Sequence, residues 1–204
     1  MNTALKLSIA ALALVGGTVL VTAAALRPQD KGEGAPPGMD PEMMMKMMEL
    51  ATPGQMHKDL MKGAGNWEES YKMRMAPDAP WTEFTGTSKA EPVLGGRYLM
   101  QTINFEMMGM PMQGLQLLGY DNLKKEYTAI WADSMSTWWV TSRGKKDASG
   151  KIDMKGTMVD VAGERPFRMV VRHKSDDLVE IEMYDTIPPK GEVQVMGITS
   201  KRKK

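Results

Sequence analysis

The sequence predicts an all-β fold, an antiparallel up-and-down meander closed into a lipocalin-like (calycin) β-barrel of about ten strands. Apolar and polar residues alternate with a period of two from Asn66 onward. Gly, Pro, Asn and Asp separate these runs at short, regular intervals, and no helical period lies between them. A flat sheet of this size would leave long exposed edges, whereas a closed barrel has none.

The first strand carries the clearest alternation. Trp67, Tyr71, Met73 and Met75 alternate with charged and polar residues, and Glu69 interrupts the apolar face. The same pattern predicts further strands near 81–91, 96–107, 111–120, 125–133, 136–143, 151–160, 166–174, 177–185 and 192–202. Tight turns between consecutive runs indicate that each strand pairs with the next one along the chain.

Short helices are predicted before the barrel. A helix from Pro41 to Leu50 begins with proline at a position that tolerates it. Pro53 and Gly54 end this helix, and a second one is predicted from Gln55 to Lys62. We therefore expect one or two short N-terminal helices that plug or flank one end of the barrel.

The N-terminal residues predict a location outside the cytoplasm, periplasmic or secreted. Lys6 precedes an uncharged run from Leu7 to Leu26 that ends in small residues. This order is typical of a signal peptide, here residues 1–25. The alternative is an uncleaved membrane anchor at residues 7–26, because about 20 apolar residues can span a bilayer.

Composition divides the remaining chain into three parts. Residues 26–42 are rich in Pro and Gly and predict a flexible linker. A methionine-rich helical segment at 43–62 and a barrel domain at 63–204 complete the predicted organisation.

Several function classes are excluded or disfavoured by composition. The 204 residues include no cysteine, which excludes disulfides, thiolate metal sites and cysteine nucleophiles. A formal net charge of +1 provides no electrostatic footprint for nucleic acid. The sequence also lacks a G-x-S-x-G, an H-E-x-x-H and a glycine-rich phosphate loop. We therefore expect no cofactor, and no set of residues indicates an enzymatic reaction; an enzyme on a barrel scaffold stays an alternative, because the fold does not exclude it.

Six short motifs occur in an order that resembles a known family. They are His57-x-x-Leu60, Gly65-Asn66-Trp67, Leu94-Gly95-Gly96-Arg97, Gly119-Tyr120-Asp121, Trp131-Ala132-Asp133-Ser134 and Lys201-Arg202-Lys203. The chain resembles, over residues 51–204, a secreted bacterial family known only as a domain of unknown function with a lipocalin-like barrel. The resemblance implies a barrel, and it implies neither an activity nor catalytic residues.

Aromatic residues on the predicted strands suggest a ligand cavity. The candidate ligand-binding residues are Arg97, Tyr98, Tyr127, Trp131, Asp133 and Trp139. Aromatic side chains line apolar pockets, and an inward-facing Arg97 would hold a carboxylate. The function predicted is binding of a small hydrophobic or amphipathic ligand, with the helices around His57 as a gate. The alternative is a structural envelope module whose aromatics fill the core, with Arg97 and Asp133 in turns or salt bridges.

Methionine is unusually frequent, with 22 residues in the chain. Met44, Met47 and Met48 share one face of the first predicted helix, and together with His57 they form a candidate Cu(I) site. The alternative is that methionine serves as a flexible apolar filler or an adhesive helix face. A second cluster is Met107, Met108, Met110 and Met112. His173, between Arg172 and Lys174, is expected to be solvated, and membrane contact is expected only through an uncleaved N-terminal segment.

Overall fold

The computed structural model describes residues 40–161 and 163–204. The predicted signal peptide or anchor and residues 26–39 of the predicted linker lie outside the described residues. Within the described ranges, no helix is both long and apolar enough to cross a bilayer.

Ten strands follow two short helices, and the strands close into one antiparallel barrel. The helices are α1 (Pro41–Ala51) and α2 (Gln55–Met61). The strands are β1 (Gly65–Met73), β2 (Thr82–Val93), β3 (Tyr98–Met107), β4 (Met110–Asp121), β5 (Glu126–Asp133), β6 (Val140–Lys146), β7 (Ile152–Asp160), β8 (Gly163–Ser175), β9 (Leu178–Ile187) and β10 (Gly191–Arg202). Each strand pairs with its chain neighbours, and β10 closes the barrel on β1. The all-β meander and the closed barrel are confirmed.

The up-and-down order gives the barrel two distinct ends. At the end that we call the helix end, α2 leads into β1, and the turns 94–97, 122–125, 147–151 and 176–177 lie there. The connections at the opposite end, the far end, are 74–81, 108–109, 134–139 and 188–190, together with the β7–β8 turn.

Inward-facing aromatic and aliphatic side chains fill much of the barrel. Beside a core cluster of Tyr127, Ala129, Ile152, Met154 and Met169, an aromatic layer is formed by Tyr71, Phe84 and Phe105. Glycine makes room for the larger rings. A Cβ at Gly114 would lie 2.2 Å from the Trp131 ring, and one at Gly156 would lie 2.5 Å from the Phe167 ring. Substituting either glycine would therefore displace a neighbouring aromatic side chain.

The strand predicted at 136–143 is displaced in the structure, where β6 begins at Val140. Residues 134–139 instead form a loop fixed by local hydrogen bonds. The Met135 amide donates to Asp133 Oδ1 at 2.9 Å, and the Ser136 hydroxyl donates to the Trp138 carbonyl oxygen at 3.1 Å. Such side-chain contacts compete with strand pairing. Trp138 and Trp139 therefore lie in an exposed loop rather than on the expected strand.

Methionine covers the surface of α1. This helix contains no buried residue, and the side chains of Met43, Met45, Met47 and Met48 are exposed. The predicted helix from Pro41 to Leu50 is confirmed, with Ala51 as its last residue.

Candidate functional site

A cleft of about 280 Å³ opens at the helix end, between α2 and the barrel wall. Its apolar lining consists of Leu60, Gly63, Trp67, Tyr127, Ile152 and Val179. Its polar lining consists of Asp59, Lys62, Lys146, His173 and Asp176. An apolar concavity with a few convergent polar groups is the usual form of a small-molecule site.

Helix α2 is held over the barrel by a small number of side-chain contacts. His57 is buried, its Nδ1 accepts a hydrogen bond from the Gly54 amide at 3.2 Å, and its ring meets Tyr120 edge-on. Met56 packs against the core cluster, and its sulfur accepts a hydrogen bond from the Tyr127 hydroxyl at 3.6 Å. Because these contacts are few, α2 is attached to the barrel less extensively than the strands are to each other.

Trp67 and Arg202 fasten the wall of the cleft where β1 meets β10. The Arg202 guanidinium lies 4.3 Å from the centre of the Trp67 ring and donates to the carbonyl oxygens of Ala64, at 2.6 Å, and Lys62, at 2.7 Å. The Trp67 indole N–H donates to the Gly63 carbonyl oxygen at 3.0 Å. These bonds fix the chain that joins α2 to the barrel, so the cleft wall is preformed.

The mouth of the cleft brings together charged groups from three separate segments. His173 lies near the end of β8, Lys146 ends β6, and Asp59 belongs to α2. The Lys62 ammonium lies 3.1 Å from the Asp59 carboxylate and lowers the pKa of Asp59 through its hydrogen bond. Lys62 is therefore already engaged.

His173 keeps substantial solvent exposure, yet surrounding atoms crowd its ring. This crowding, followed by the nearby Lys146 ammonium, lowers the pKa of His173 below its ordinary value, while Asp176 acts in the opposite direction. The imidazole therefore favours its neutral form, in which one nitrogen donates a hydrogen bond and the other accepts one.

The phenol of Tyr127 lies on the apolar side of the cleft. Burial raises its pKa above the ordinary tyrosine value, with a smaller contribution from Asp59. The hydroxyl therefore stays protonated, and it can donate a hydrogen bond to Met56 or to a ligand.

The predicted ligand residues occupy separate places in the barrel. Tyr127 lines the cleft, whereas Trp131 and Asp133 lie farther along β5, where the Trp131 indole N–H donates to Asp133 Oδ2 at 2.8 Å. Arg97 is exposed and donates to the Leu94 carbonyl oxygen at 3.2 Å. Tyr98, the first residue of β3, packs its ring over Gly119, and Trp139 is 71% exposed at the far end. The structure therefore brings only Tyr127 of this set into the cleft.

The residues of the predicted copper site differ in their surroundings. Met47 and Met48 are exposed on α1, and Met44 is half-buried, but the Nδ1 of buried His57 is engaged by Gly54. Over residues 40–161 and 163–204, no three His, Asp or Glu side chains are grouped so as to hold a metal ion.

A buried polar cluster inside the barrel was not predicted. The Glu69 carboxylate is 3% exposed and accepts hydrogen bonds from the Ser88 and Ser200 hydroxyls, while the Gln101 amide donates to Ser88 Oγ at 2.8 Å. Its one signal in the sequence was the break that Glu69 makes in the apolar face of β1. The cluster ties together β1, β2, β3 and β10 beneath Trp67.

Comparison with known protein families shows which family this chain belongs to. A family model described as "Protein of unknown function (DUF1579)" matches residues 52–202. The chain belongs to the DUF1579 family. The matched range covers α2 and the whole DUF1579 barrel, and it begins directly after the methionine-rich α1. No curated protein matches the chain.

Proposed function

We propose that this DUF1579 protein binds a small amphipathic ligand in the helix-end cleft. The observation that carries the proposal is the combination of an apolar wall and a polar mouth in a concavity of about 280 Å³. This volume is near the lower limit for small-molecule sites, which is about 300 Å³. The ligand is therefore small, with a short apolar part and one polar head.

Apolar burial supplies the affinity in this proposal. Trp67, Tyr127 and Ile152 are all nearly buried already, so they present a rigid surface. A ligand tail placed against them loses its contact with water, which is worth about 25 cal/mol for each Å² removed. The fixed Trp67–Arg202 contact means that little ordering is needed on binding.

Lys146 and His173 can receive an anionic head group at the mouth of the cleft, where the Asp176 carboxylate also lies. Lys146 supplies a cation, and neutral His173 supplies a hydrogen-bond donor beside it. Asp59 is paired with Lys62. A monocarboxylate would meet Lys146 and His173 while its chain extends toward Trp67.

We propose that a movement of α2 widens the mouth of this cleft, so that the helices around His57 act as a gate. The Met56–Tyr127 contact and the amide of Asn122, which donates to the Leu50 and Thr52 carbonyl oxygens, would open first. We also propose that the protein acts outside the cytoplasm, because Lys6 and the uncharged run 7–26 have the pattern of a signal peptide or anchor.

Octanoate is a suitable probe, with octanol as its uncharged counterpart. We expect octanoate to shift the Trp67 indole N–H resonance and to bind more tightly than octanol. Lys146→Met should weaken octanoate binding about tenfold, because it removes a charge-assisted contact. Lys145→Met is the matched control, since Lys145 is the adjacent residue on β6 and points to the opposite face.

Two results would overturn the proposal. One is a Trp67 indole resonance that stays unchanged at saturating octanoate. The other is equal octanoate affinity in Lys146→Met and Lys145→Met. Native mass spectrometry of the protein isolated from its own cell envelope provides an independent measurement. An added mass that is lost on denaturation would support a bound ligand, and a bare mass would favour a filled, structural barrel.

A further inference from the structure

The β3–β4 hairpin places three thioethers on one face at the far end. Met107 and Met110 are directly opposite partners on β3 and β4, so their Cβ atoms are about 5 Å apart. Met112 follows Met110 by two residues and therefore shares its face. Met112 is buried, Met107 is half-buried and Met110 is 45% exposed. The three side chains thus extend from the barrel interior to its rim.

The tight β3–β4 turn holds these methionines in register. Met108 has φ +56° and Gly109 has φ +76°, so a residue with a large side chain occupies the left-handed region. Glycine or asparagine would adopt this conformation at lower energy. Leu94 and Lys125 adopt the same conformation in the β2–β3 and β4–β5 turns, so it is the conformation of a tight hairpin turn.

The strand segment that carries the three sulfur atoms is uncharged, and the Asp133 carboxylate on neighbouring β5, opposite Gly114, is already bonded to the Trp131 indole and the Met135 amide. Residues 107–120 contain no charged side chain, and exposed Glu106 lies on the opposite face of β3. Below the methionines, Phe105 is the cross-strand partner of Met112 and belongs to the aromatic layer. Hard divalent cations need oxygen ligands, whereas neutral thioethers select Cu(I).

We propose that Met107, Met110 and Met112 form a Cu(I) site at the far end of the barrel. Three neutral sulfur ligands would leave the single positive charge of the ion uncompensated. Met110 is exposed at the rim of the barrel, so the ion can enter and leave there. This site shares no residue with the set Met44, Met47, Met48 and His57. It requires neither a movement of α2 nor a ligand in the helix-end cleft.

The first test uses Ag(I), a redox-stable substitute for Cu(I), with the full chain labelled at its methionine methyl groups. We expect the methyl resonances of Met107, Met110 and Met112 to shift in a single saturable step. Shifts confined to the methionines of α1 would overturn the proposal and would support the α1 site instead.

The second test is an anaerobic Cu(I) titration in competition with a chromogenic Cu(I) chelator. Met107→Leu/Met110→Leu removes two of the three proposed ligands and should weaken binding by at least about 100-fold, since losing only an outer-shell partner of a metal site costs about 10-fold to 100-fold. Leucine is close to methionine in volume, and Met110 is half-exposed, so this variant is expected to fold. Met135→Leu, an exposed methionine in another far-end loop, is the matched control. Unchanged affinity in the double variant would overturn the proposal.

X-ray absorption of the Cu(I)-loaded full chain adds a direct measure of the ligands. A first shell of sulfur alone is expected. A shell that includes nitrogen would contradict a site made only of thioethers, because it would require His57 or His173.

Discussion

Trp67 at the helix end and the Trp138–Trp139 pair at the far end have opposite surroundings. At the helix end, Trp67 is 5% exposed, bonded through its indole N–H and covered by Arg202. At the far end, Trp138 is 48% and Trp139 is 71% exposed. Further exposed apolar side chains in far-end connections belong to Met75, Met108, Met135 and Val161.

Buried aromatic residues such as Trp67 stabilise the barrel, whereas exposed ones such as Trp139 are available for contact with other molecules. At the helix end, aromatic burial is combined with hydrogen bonds that close the barrel between β1 and β10. At the far end, comparable apolar area remains in contact with water, where it contributes little to folding. Substitutions that are alike in chemistry should therefore have different effects at the two ends.

The largest expected effect is that of Trp67→Ala. Removing this buried ring should lower the free energy of unfolding by about 3–5 kcal/mol, through lost burial and the cavity left behind. Trp139→Ala removes the same side chain from an exposed loop and should change the free energy by no more than about 0.5 kcal/mol. Urea unfolding of the two variants measures both values. Equal losses would mean that the two ends do not differ in the way proposed.

Arg202→Met should have the next largest effect. The guanidinium donates to the Lys62, Ala64 and Asp176 carbonyl oxygens and to the Asp177 carboxylate. Leaving these acceptors without their donor should lower the free energy of unfolding by about 1.5–3 kcal/mol.

Lys201→Met is the matched control for Arg202→Met, since Lys201 is the adjacent, exposed residue of β10. We expect it to remain within about 0.5 kcal/mol of the parent protein. Thermal unfolding of the two variants should rank them in this order, and a reversal would show that closure does not depend on Arg202.

The sequence predicted the barrel well because its signal is local. Alternation along β1 and glycine-rich turns such as Leu94–Arg97 depend on residues that are adjacent in the chain. The start of β6 was wrong because the same residue types also form side-chain hydrogen bonds in the 134–139 loop. Periodicity alone does not distinguish these two outcomes.

The cleft was harder to predict because its residues are distant in the chain. Lys146, His173 and Asp176 meet only once β6, β7, β8 and β9 are arranged side by side in the barrel, with α2 on the other side of the cleft. His173 lies between Arg172 and Lys174, a context that suggested solvation and gave no sign of a cleft. Tyr127 was identified from its own strand. An aromatic residue on the inward face of a strand belongs to a core or a cavity, whichever distant residues pack against it.

The mouth of the cleft should give the helix end a pH dependence. Since the pKa of His173 is lowered in the folded state, the unfolded chain binds more protons in the window just below pH 6.5. Stability from neutral His173 is therefore fully present above the ordinary pKa of about 6.5 and is lost as pH falls through the folded value. His173→Asn should flatten this part of the stability profile. Urea unfolding at several pH values between about pH 7 and pH 5 gives the free energy of unfolding across this window. If it fell as steeply with pH in His173→Asn as in the parent protein, the prediction would be wrong.

The smallest expected effects come from two turn residues, one at each end. Leu94 in the β2–β3 turn and Met108 in the β3–β4 turn have φ of +50° and +56°, and both are exposed. Glycine adopts this conformation without steric cost but loses more freedom on folding. Leu94→Gly and Met108→Gly should therefore each stabilise the barrel slightly, by about 0.5 kcal/mol.

Comparing these two variants separates backbone conformation from metal binding at the far end. Met108 lies outside the proposed ligand set, so Met108→Gly should bind Ag(I) as tightly as the parent protein and as Leu94→Gly. A loss of affinity in Met108→Gly alone would show that Met108 itself supplies a sulfur, which would explain why methionine occupies a position where glycine is more stable. If both variants bind Ag(I) as tightly as the parent protein, the left-handed turn serves only to place Met107 and Met110 opposite each other. Methionine and glycine at position 108 both preserve that register.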